Sequence, residues 1–219
     1  MITLAKLKHL KDKKFQRLHK EVAEYHTKVV YMYDWSRQWE YPWVLQNVPF
    51  KKKDIVLDAG GGTCHFPSLV ARRVEKVIVG DIYRERIFKP EASNVEFLTL
   101  NVLNFKTDKK YDIVLCLSVL EHVDNYFEAI KNLTESVKKD GYLVITLDLF
   151  LDDFKNCKKK DIPKILELFK DFDLGKVDLS EDDLYQKTTL QEMKLDLPNL
   201  YSRNYKNRTS LGIIIKKHE

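Results

Sequence analysis

Cysteine is scarce in this chain: three in 219 residues, at Cys64, Cys116 and Cys157, each far from the others. Without C-x-x-C spacing they suggest neither a zinc site nor a disulfide framework, and all three are read as free thiols. Long apolar runs are missing too, and none approaches the length that crosses a bilayer. The opening residues Met1-Ile2-Thr3-Leu4-Ala5-Lys6 lack the apolar segment and cleavage site of a secretory signal, so a cytoplasmic protein with no membrane span is expected. On that reading Asn132-Leu133-Thr134 and Asn207-Arg208-Thr209, which fit the glycosylation pattern, are chance matches. No histidine accompanies the carboxylates Asp148, Asp152 and Asp153, so these are read as solvated and no metal is expected. No repeat, low-complexity tract or interdomain linker divides the chain. Charge of one sign is not gathered into one block. The net charge of +5 is modest, with Lys and Arg spread along the chain, so a nucleic acid partner is not indicated.

A hydrophobic fraction of 44% beside 32% charged residues fits a globular chain of ordinary size. Glycine numbers only seven, yet Gly60, Gly61 and Gly62 stand in a row. The run Asp54-Ile55-Val56-Leu57-Asp58-Ala59 leads into them and apolar spacing resumes at Phe66, Leu69 and Val70, which predicts strand, tight turn, helix. Such a turn lets a ligand approach the backbone, and the helix that follows turns unpaired N–H groups toward it. Asp81 ends the next apolar run, Lys76-Val77-Ile78-Val79-Gly80, at the distance that one helix and one strand consume. A carboxylate at that strand tip suits the two hydroxyls of a ribose. A dinucleotide would want glycine where His65 stands, and the charge of Asp58 disfavours a pyrophosphate. Both features suit a cofactor carrying positive charge, such as the sulfonium and ammonium of S-adenosylmethionine.

Taken in order, Val56-Leu57-Asp58-Ala59-Gly60-Gly61-Gly62-Thr63, then Asp81, then Tyr111-Asp112-Ile113-Val114-Leu115-Cys116-Leu117-Ser118-Val119-Leu120-Glu121-His122-Val123 resemble the successive motifs of class I S-adenosylmethionine-dependent methyltransferases. The closing Leu-Glu-His-Val resembles the branch that methylates small molecules, including quinone precursors. The resemblance covers roughly residues 50 to 150. It implies a Rossmann-like α/β fold with helices on both faces of a sheet of order 3-2-1-4-5-7-6, strand 7 antiparallel. It also implies that Asp58, Ala59, Gly60, Gly61 and Gly62 hold the methionine end of the cofactor and Asp81 the ribose. Ile82 and Val102 would flank the adenine, with Asn101 accepting from its amino group where the family often has Asp. Ser118 would face the methionine part, and His122 is the candidate base, or else a residue that orients the loop.

Before these motifs, Phe15, Leu18, Val22, Tyr25, Val29 and Met32 mark one buried helical face with a lysine-rich back. Tyr31 to Trp43 then holds all three tryptophans, and Pro42 is expected to stop or bend a helix there. Residues 1–47 are read as a helical, aromatic lid segment and residues 48–219 as the cofactor-binding domain. In related methyltransferases an N-terminal extension closes over the site, which makes Arg37 a partner for the methionine carboxylate. The alternative is that these aromatics, Trp39 included, only pack the first helix onto the domain. Further on, the spacing predicts a helix from Asp124, as N-cap, to Lys139 with Gly141 closing it, and a strand over Gly141 to Asp148. A helix over Ile162 to Phe172, a short helix near Glu181 to Tyr185, and a closing strand pair at Asn199 to Arg203 and Leu211 to Lys217 complete the expectation.

The expected reaction is in-line attack by an acceptor atom on the sulfonium methyl, in which positioning and exclusion of water outweigh any need for a strong base. The acceptor is narrowed by elimination. No Asn/Asp-Pro-Pro-aromatic motif follows the fourth strand, where amino-group methylases of bases carry one, and no Pro-Cys nucleophile is present. A small organic acceptor leads. The rivals are an RNA or protein methyltransferase using the basic N-terminal helix, and a catalytically silent module that only binds the cofactor.

Overall fold

The computed structural model describes residues 1–29, 35–62, 64–83, 92–150, 157–170, 172–182, 184 and 208–218. Eight strands form one sheet in the order β4-β3-β2-β5-β6-β8-β1-β7. These are β1 (Ile2–Leu4), β2 (Ile55–Ala59), β3 (Lys76–Asp81), β4 (Val95–Thr99), β5 (Tyr111–Leu117), β6 (Val137–Phe150), β7 (Val177–Asp178) and β8 (Arg208–Lys216). The five strands from β4 to β6 are mutually parallel, and β8 runs antiparallel to β6. This matches the doubly wound sheet with an antiparallel closing strand that the motifs implied.

The place beyond β8 departs from expectation. There the N-terminal β1 pairs antiparallel to β8, Ile2 opposite Ile213 and Leu4 opposite Leu211, and is itself flanked by β7. Ile2 and Leu4 are fully or almost fully buried, which explains why an apolar triplet this close to the N-terminus is drawn into the sheet rather than a helix. The segment 199–203, expected to pair there, lies outside the described residues.

Helices α1 (Leu7–Lys11), α2 (Lys13–Val29), α3 (Trp35–Asn47) and α4 (Phe66–Ala71) cover one face, while α5 (Tyr126–Glu135) and α6 (Ile162–Glu167) cover the other. The period-2 alternation of the strands sorts side chains between the two cores. Along β5, Ile113, Leu115 and Leu117 face α1–α4, whereas Val114 and Cys116 face α5 and α6. Phe15, Leu18, Val22 and Tyr25 of α2 are buried as their spacing predicted.

Three expectations need correcting. Pro42 neither stops nor delimits α3 but sits inside it. The proline removes one backbone hydrogen bond at a cost of about 3 kcal/mol, which the burial of Trp39, Tyr41, Trp43 and Val44 along the same helix offsets. The cap of α5 is Asn125, whose side chain accepts from the Glu128 N–H, not Asp124. That helix ends at Glu135, where the Ser136 hydroxyl donates to the Leu133 carbonyl; Gly141 lies within β6, where a Cβ would come 2.7 Å from the Asp112 carbonyl. Leu184 lies in an isolated bridge to Lys6. In α6 and the turn after it Ile165 and Phe169 are fully buried, while Leu168 turns outward.

Candidate active site

The carboxyl ends of β2, β3 and β5 meet where the strand order reverses, the place at which open parallel sheets bind ligands. The loop after β2 is pressed against side chains on every side. Gly60 adopts φ +89°, a value that disfavours other residues, and a Cβ on it would run into Val119. A Cβ on Gly61 would strike the Asp58 carboxyl, and one on Gly62 would lie 2.6 Å from Asp81 Oδ2. The glycines thus bring the loop backbone directly against two carboxylates. Ala59 closes β2 in the core, opposite Gly80.

Asp58 is almost wholly buried, on the face of the sheet that carries α3, and its Oδ2 has no hydrogen-bond partner among the described residues. Burial pushes its carboxyl up to about 7; nearby Asp81 adds to the rise and Arg37 opposes it. A carboxyl held in this condition is poised to ionise when a cation arrives. Asp81 at the end of β3 accepts from the Gly62 N–H at 3.2 Å and from the Tyr83 N–H at 2.9 Å, so the carboxyl ties the glycine loop to the strand tip.

Arg37 reaches this place from α3. Its Nη1 donates to Glu40 Oε2 at 2.8 Å and to the Leu117 carbonyl at 3.4 Å, and its guanidinium lies 5.6 Å from the centre of the Tyr41 ring. Tyr41 is buried and stacks on Phe66 at 4.2 Å, while the Cys64 thiol in the loop donates to the Gly61 carbonyl at 3.6 Å. Burial raises the Cys64 thiol to about 11, so it stays protonated at neutral pH. Ser118, just past β5, takes the left-handed φ of +50° and donates its hydroxyl to Glu40 Oε1 at 2.6 Å.

Other expected residues fall around this centre. Trp39 is not in the cleft. It is fully buried, stacks on Trp43 at 5.0 Å and donates to His9 Nδ1 at 3.0 Å, which makes it a core residue above Gly212. Ile82 is 53% exposed beside Asp81, an apolar surface fit to meet a base. Val102 instead faces the core, with its carbonyl accepting from Asn132, and the exposed side chain next to it is Leu103. Asn101 is exposed and its Oδ1 accepts from the Leu103 N–H. His122 closes a short 3-10 turn after β5 and is exposed.

Sequence reading missed two buried glutamates of the site. Glu40 is fully buried between Arg37 and Ser118. Glu121 is buried too, with one oxygen accepting from the Asp148 N–H; burial first, then Asp148 and Glu40, push its carboxyl upward. Asp148, read as solvated, is buried. The signal that could have found Glu40 is its i,i+3 spacing from Arg37 on one helix face. Among the described residues no group of three or more His, Cys, Asp or Glu side chains is arranged to hold a metal ion.

Residues 33–212 match the sequence family described as "Methyltransferase domain". The chain belongs to that family. This methyltransferase is also 34% identical to the ubiquinone biosynthesis O-methyltransferase of Rickettsia canadensis over 58 residues, 26% of this chain and 25% of the relative. With the same enzyme of Rickettsia bellii it is 38% identical over 52 residues, 24% of this chain and 22% of that one. Each match therefore spans about a quarter of the curated relative. Among solved structures, N-methyltransferase NodS from Bradyrhizobium japonicum with S-adenosyl-L-homocysteine superposes with a TM-score of 0.59 at 14% identity, covering 95% of this chain and 100% of that one. Magnesium protoporphyrin IX methyltransferase from Synechocystis with bound cofactor gives 0.52 at 17% identity, covering 94% and 82%. The [4+2]-cyclase SpnF gives 0.62 at 15% identity, covering 84% of each. These likenesses establish the class I methyltransferase fold. The NodS and magnesium protoporphyrin IX methyltransferase structures hold S-adenosyl-L-homocysteine and S-adenosylmethionine, and here the side-chain-free loop with its uncompensated Asp58 and its Arg37 fits the charges of S-adenosylmethionine. No helix among the described residues is long and apolar enough to cross a membrane.

Proposed function

We propose that this methyltransferase works in the cytoplasm on a small organic acceptor, binding the methionine end of its cofactor between Asp58 and Arg37. The observation that carries this reading is an unsatisfied buried carboxyl at the foot of the glycine loop with the charge of Arg37 near enough to be felt by it, a match for an ammonium and a carboxylate on one carbon. When bound, the cofactor supplies a methyl group on a cationic sulfur, already a good leaving group. Asp58 takes the ammonium and, once paired, is held ionised; Arg37 takes the carboxylate as a charge-assisted fork. Gly60 to Gly62 leave room at the loop and Asp81 receives the ribose hydroxyls. Ile82, Asn101 and the backbone N–H of Val102, whose side chain is in the core, form the adenine end, with Asn101 giving up its turn contact to Leu103 if its side chain accepts from the base. Ser118 borders the methionine part. His122, at the exposed end of the turn after β5, is the group placed to accept the acceptor's proton. Within residues 1–47 the lid is α3, since β1 belongs to the sheet, and 48–219 form the rest of the binding domain. The partial match to ubiquinone O-methyltransferases supports a hydroxyl acceptor of small-molecule type.

Calorimetric titration with S-adenosylmethionine, followed by a methyl-release assay over a panel of small hydroxylated and amino compounds, tests this reading. Asp81→Ala should weaken cofactor binding by about ten- to a hundredfold, since a carboxylate hydrogen bond contributes 1.5–3 kcal/mol or so. Unchanged affinity in that variant would remove Asp81 from the ribose site. Turnover only on RNA, falling steeply with salt, would replace the small acceptor by a polyanion.

A further inference from the structure

We propose that Glu40 is a positioning residue that sets the guanidinium of Arg37 for the cofactor's carboxylate, making α3 a built part of the cofactor site. The proposal rests on the reading of Arg37 given above and adds to it the residue through which that arginine is aimed.

Glu40 is fully buried, and both its oxygens are used: Oε2 accepts from Arg37 Nη1 at 2.8 Å and Oε1 from the Ser118 hydroxyl at 2.6 Å. It thus joins the lid helix to the tip of β5. Ser118 is itself fixed, its N–H donating to the Thr146 carbonyl at 2.9 Å and its φ held at +50°, a conformation a non-glycine residue keeps only where its surroundings enforce it. The carboxylate therefore hangs from a rigid point of the sheet.

The consequence falls on Arg37. Its hydrogen bonds among the described residues run through Nη1, to Glu40 and to the Leu117 carbonyl, and the Tyr41 ring centre lies 5.6 Å from the guanidinium. No acceptor among the described residues stands against Nε or Nη2. That edge is the one that grips a carboxylate with two parallel N–H bonds. One nitrogen is anchored, an aromatic ring stands nearby, and the side chain keeps 24% of its surface exposed. A long side chain held in this way loses little rotamer freedom when a ligand binds.

A buried ion pair in itself gives weak grounds for stability, because desolvation of both charges offsets their attraction. Two further features point to function here. The arginine side chain is 24% exposed whereas the glutamate side chain is at 0%, so the pair is open on the cation's side only. Tyr41, one position on, is stacked on Phe66 at the start of α4 while Glu40 holds Ser118 past β5, so α3 is registered against both walls of the cleft.

The test compares two ligands. S-adenosylmethionine carries the amino acid part; 5′-methylthioadenosine carries the nucleoside and thioether without it. Glu40→Gln should weaken S-adenosylmethionine by about ten- to a hundredfold in calorimetry, leaving 5′-methylthioadenosine within about twofold of wild type. In an Arg37→Ala background the same change should add almost nothing, since the residue through which it acts is gone. Glu40→Asp, which keeps the buried charge but moves it by one methylene, should give a smaller loss with the same selectivity. Equal weakening of both ligands in Glu40→Gln and Glu40→Asp would make Glu40 a structural residue and overturn the proposal, as would unchanged affinity for S-adenosylmethionine in both. Failure of the wild-type protein to bind either ligand would instead remove the cofactor-site reading beneath it.

Discussion

Asp58 shows how one residue trades fold stability for binding. In the unfolded chain its carboxyl ionises near 3.8, whereas in the fold it does so at about 7, so the folded state holds an extra proton between those values. Stability contributed by this residue therefore falls as pH rises from the lower value to the upper, and the loss is complete above it. Asp58→Asn removes that dependence. Without cofactor the variant should melt above wild type at pH 8, by about 1–3 kcal/mol, and the advantage should disappear as pH drops toward 4. Its affinity for S-adenosylmethionine should fall by about tenfold or more, because the amide cannot pair with an ammonium. In wild type the same affinity should rise with pH up to about 7 and then level off, since the binding form is the ionised one. Melting curves at the two pH values and calorimetry across the range check all three outcomes. An Asn variant no more stable than wild type at pH 8 would show that Asp58 is not strained by burial. Asp58, Asp81 and the glycines were legible in the sequence because the chemistry needs them at the tips of successive strands, at short and regular spacing. Glu40 and Glu121 were not, because their burial depends on which helix or turn lies over the strand tips.

Among the elements, α3 departed furthest from expectation and carries most of the site's geometry. The helix is held at both ends by contacts that no local pattern encodes. Near its start, Arg37 and Glu40 engage β5, and Trp39 and Trp43 lie over Gly212 of β8, where a Cβ would come 2.6 Å from Trp43. Its fit also depends on α1, where His9 Nδ1 accepts both the Trp39 indole N–H at 3.0 Å and the Lys6 N–H at 3.2 Å. An atom that accepts two hydrogen bonds must be unprotonated. Accordingly burial, with Lys8 beside it, lowers His9 from the usual 6.5 to about 4. Stability from the neutral ring is thus present above 6.5 and is lost as pH falls toward 4, where the unfolded chain binds the proton first. Replacing His9 by Leu orphans the buried indole N–H and should cost about 1–2 kcal/mol at pH 7. The gap between wild type and variant, followed by urea unfolding, should narrow as pH drops from 6.5 to 4. A gap independent of pH would mean that the ring is held by packing alone.

At the scale of the whole molecule, the sheet is completed by the two ends of the chain. β8 inserts between β6 and β1, and the backbones of Met1 and Ile214 exchange hydrogen bonds, with the Ile214 N–H donating to the Met1 carbonyl at 2.7 Å. Ile2 is at 0% exposure, so Ile2→Ala should cost about 2–5 kcal/mol, far more than a change at an exposed position such as Val177, and an equilibrium unfolding curve reads the difference. A loss under about 0.5 kcal/mol, the range of ordinary surface changes, would show that β1 is not integral to the sheet. The sequence by itself determined the individual strands from β2 to β6, the glycine loop and its two flanking carboxylates, because apolar runs and backbone freedom act over a few residues, while their order in the sheet followed from the family resemblance. It also carried the family resemblance, since the motifs follow one another along the chain. Tertiary structure alone decided that β1 fills the place beyond β8, that α3 runs through Pro42, and that Glu40 is buried against Ser118. Each of these depends on a surface made by residues distant in sequence. Packing energy of that kind overrides local propensity and leaves no periodic trace.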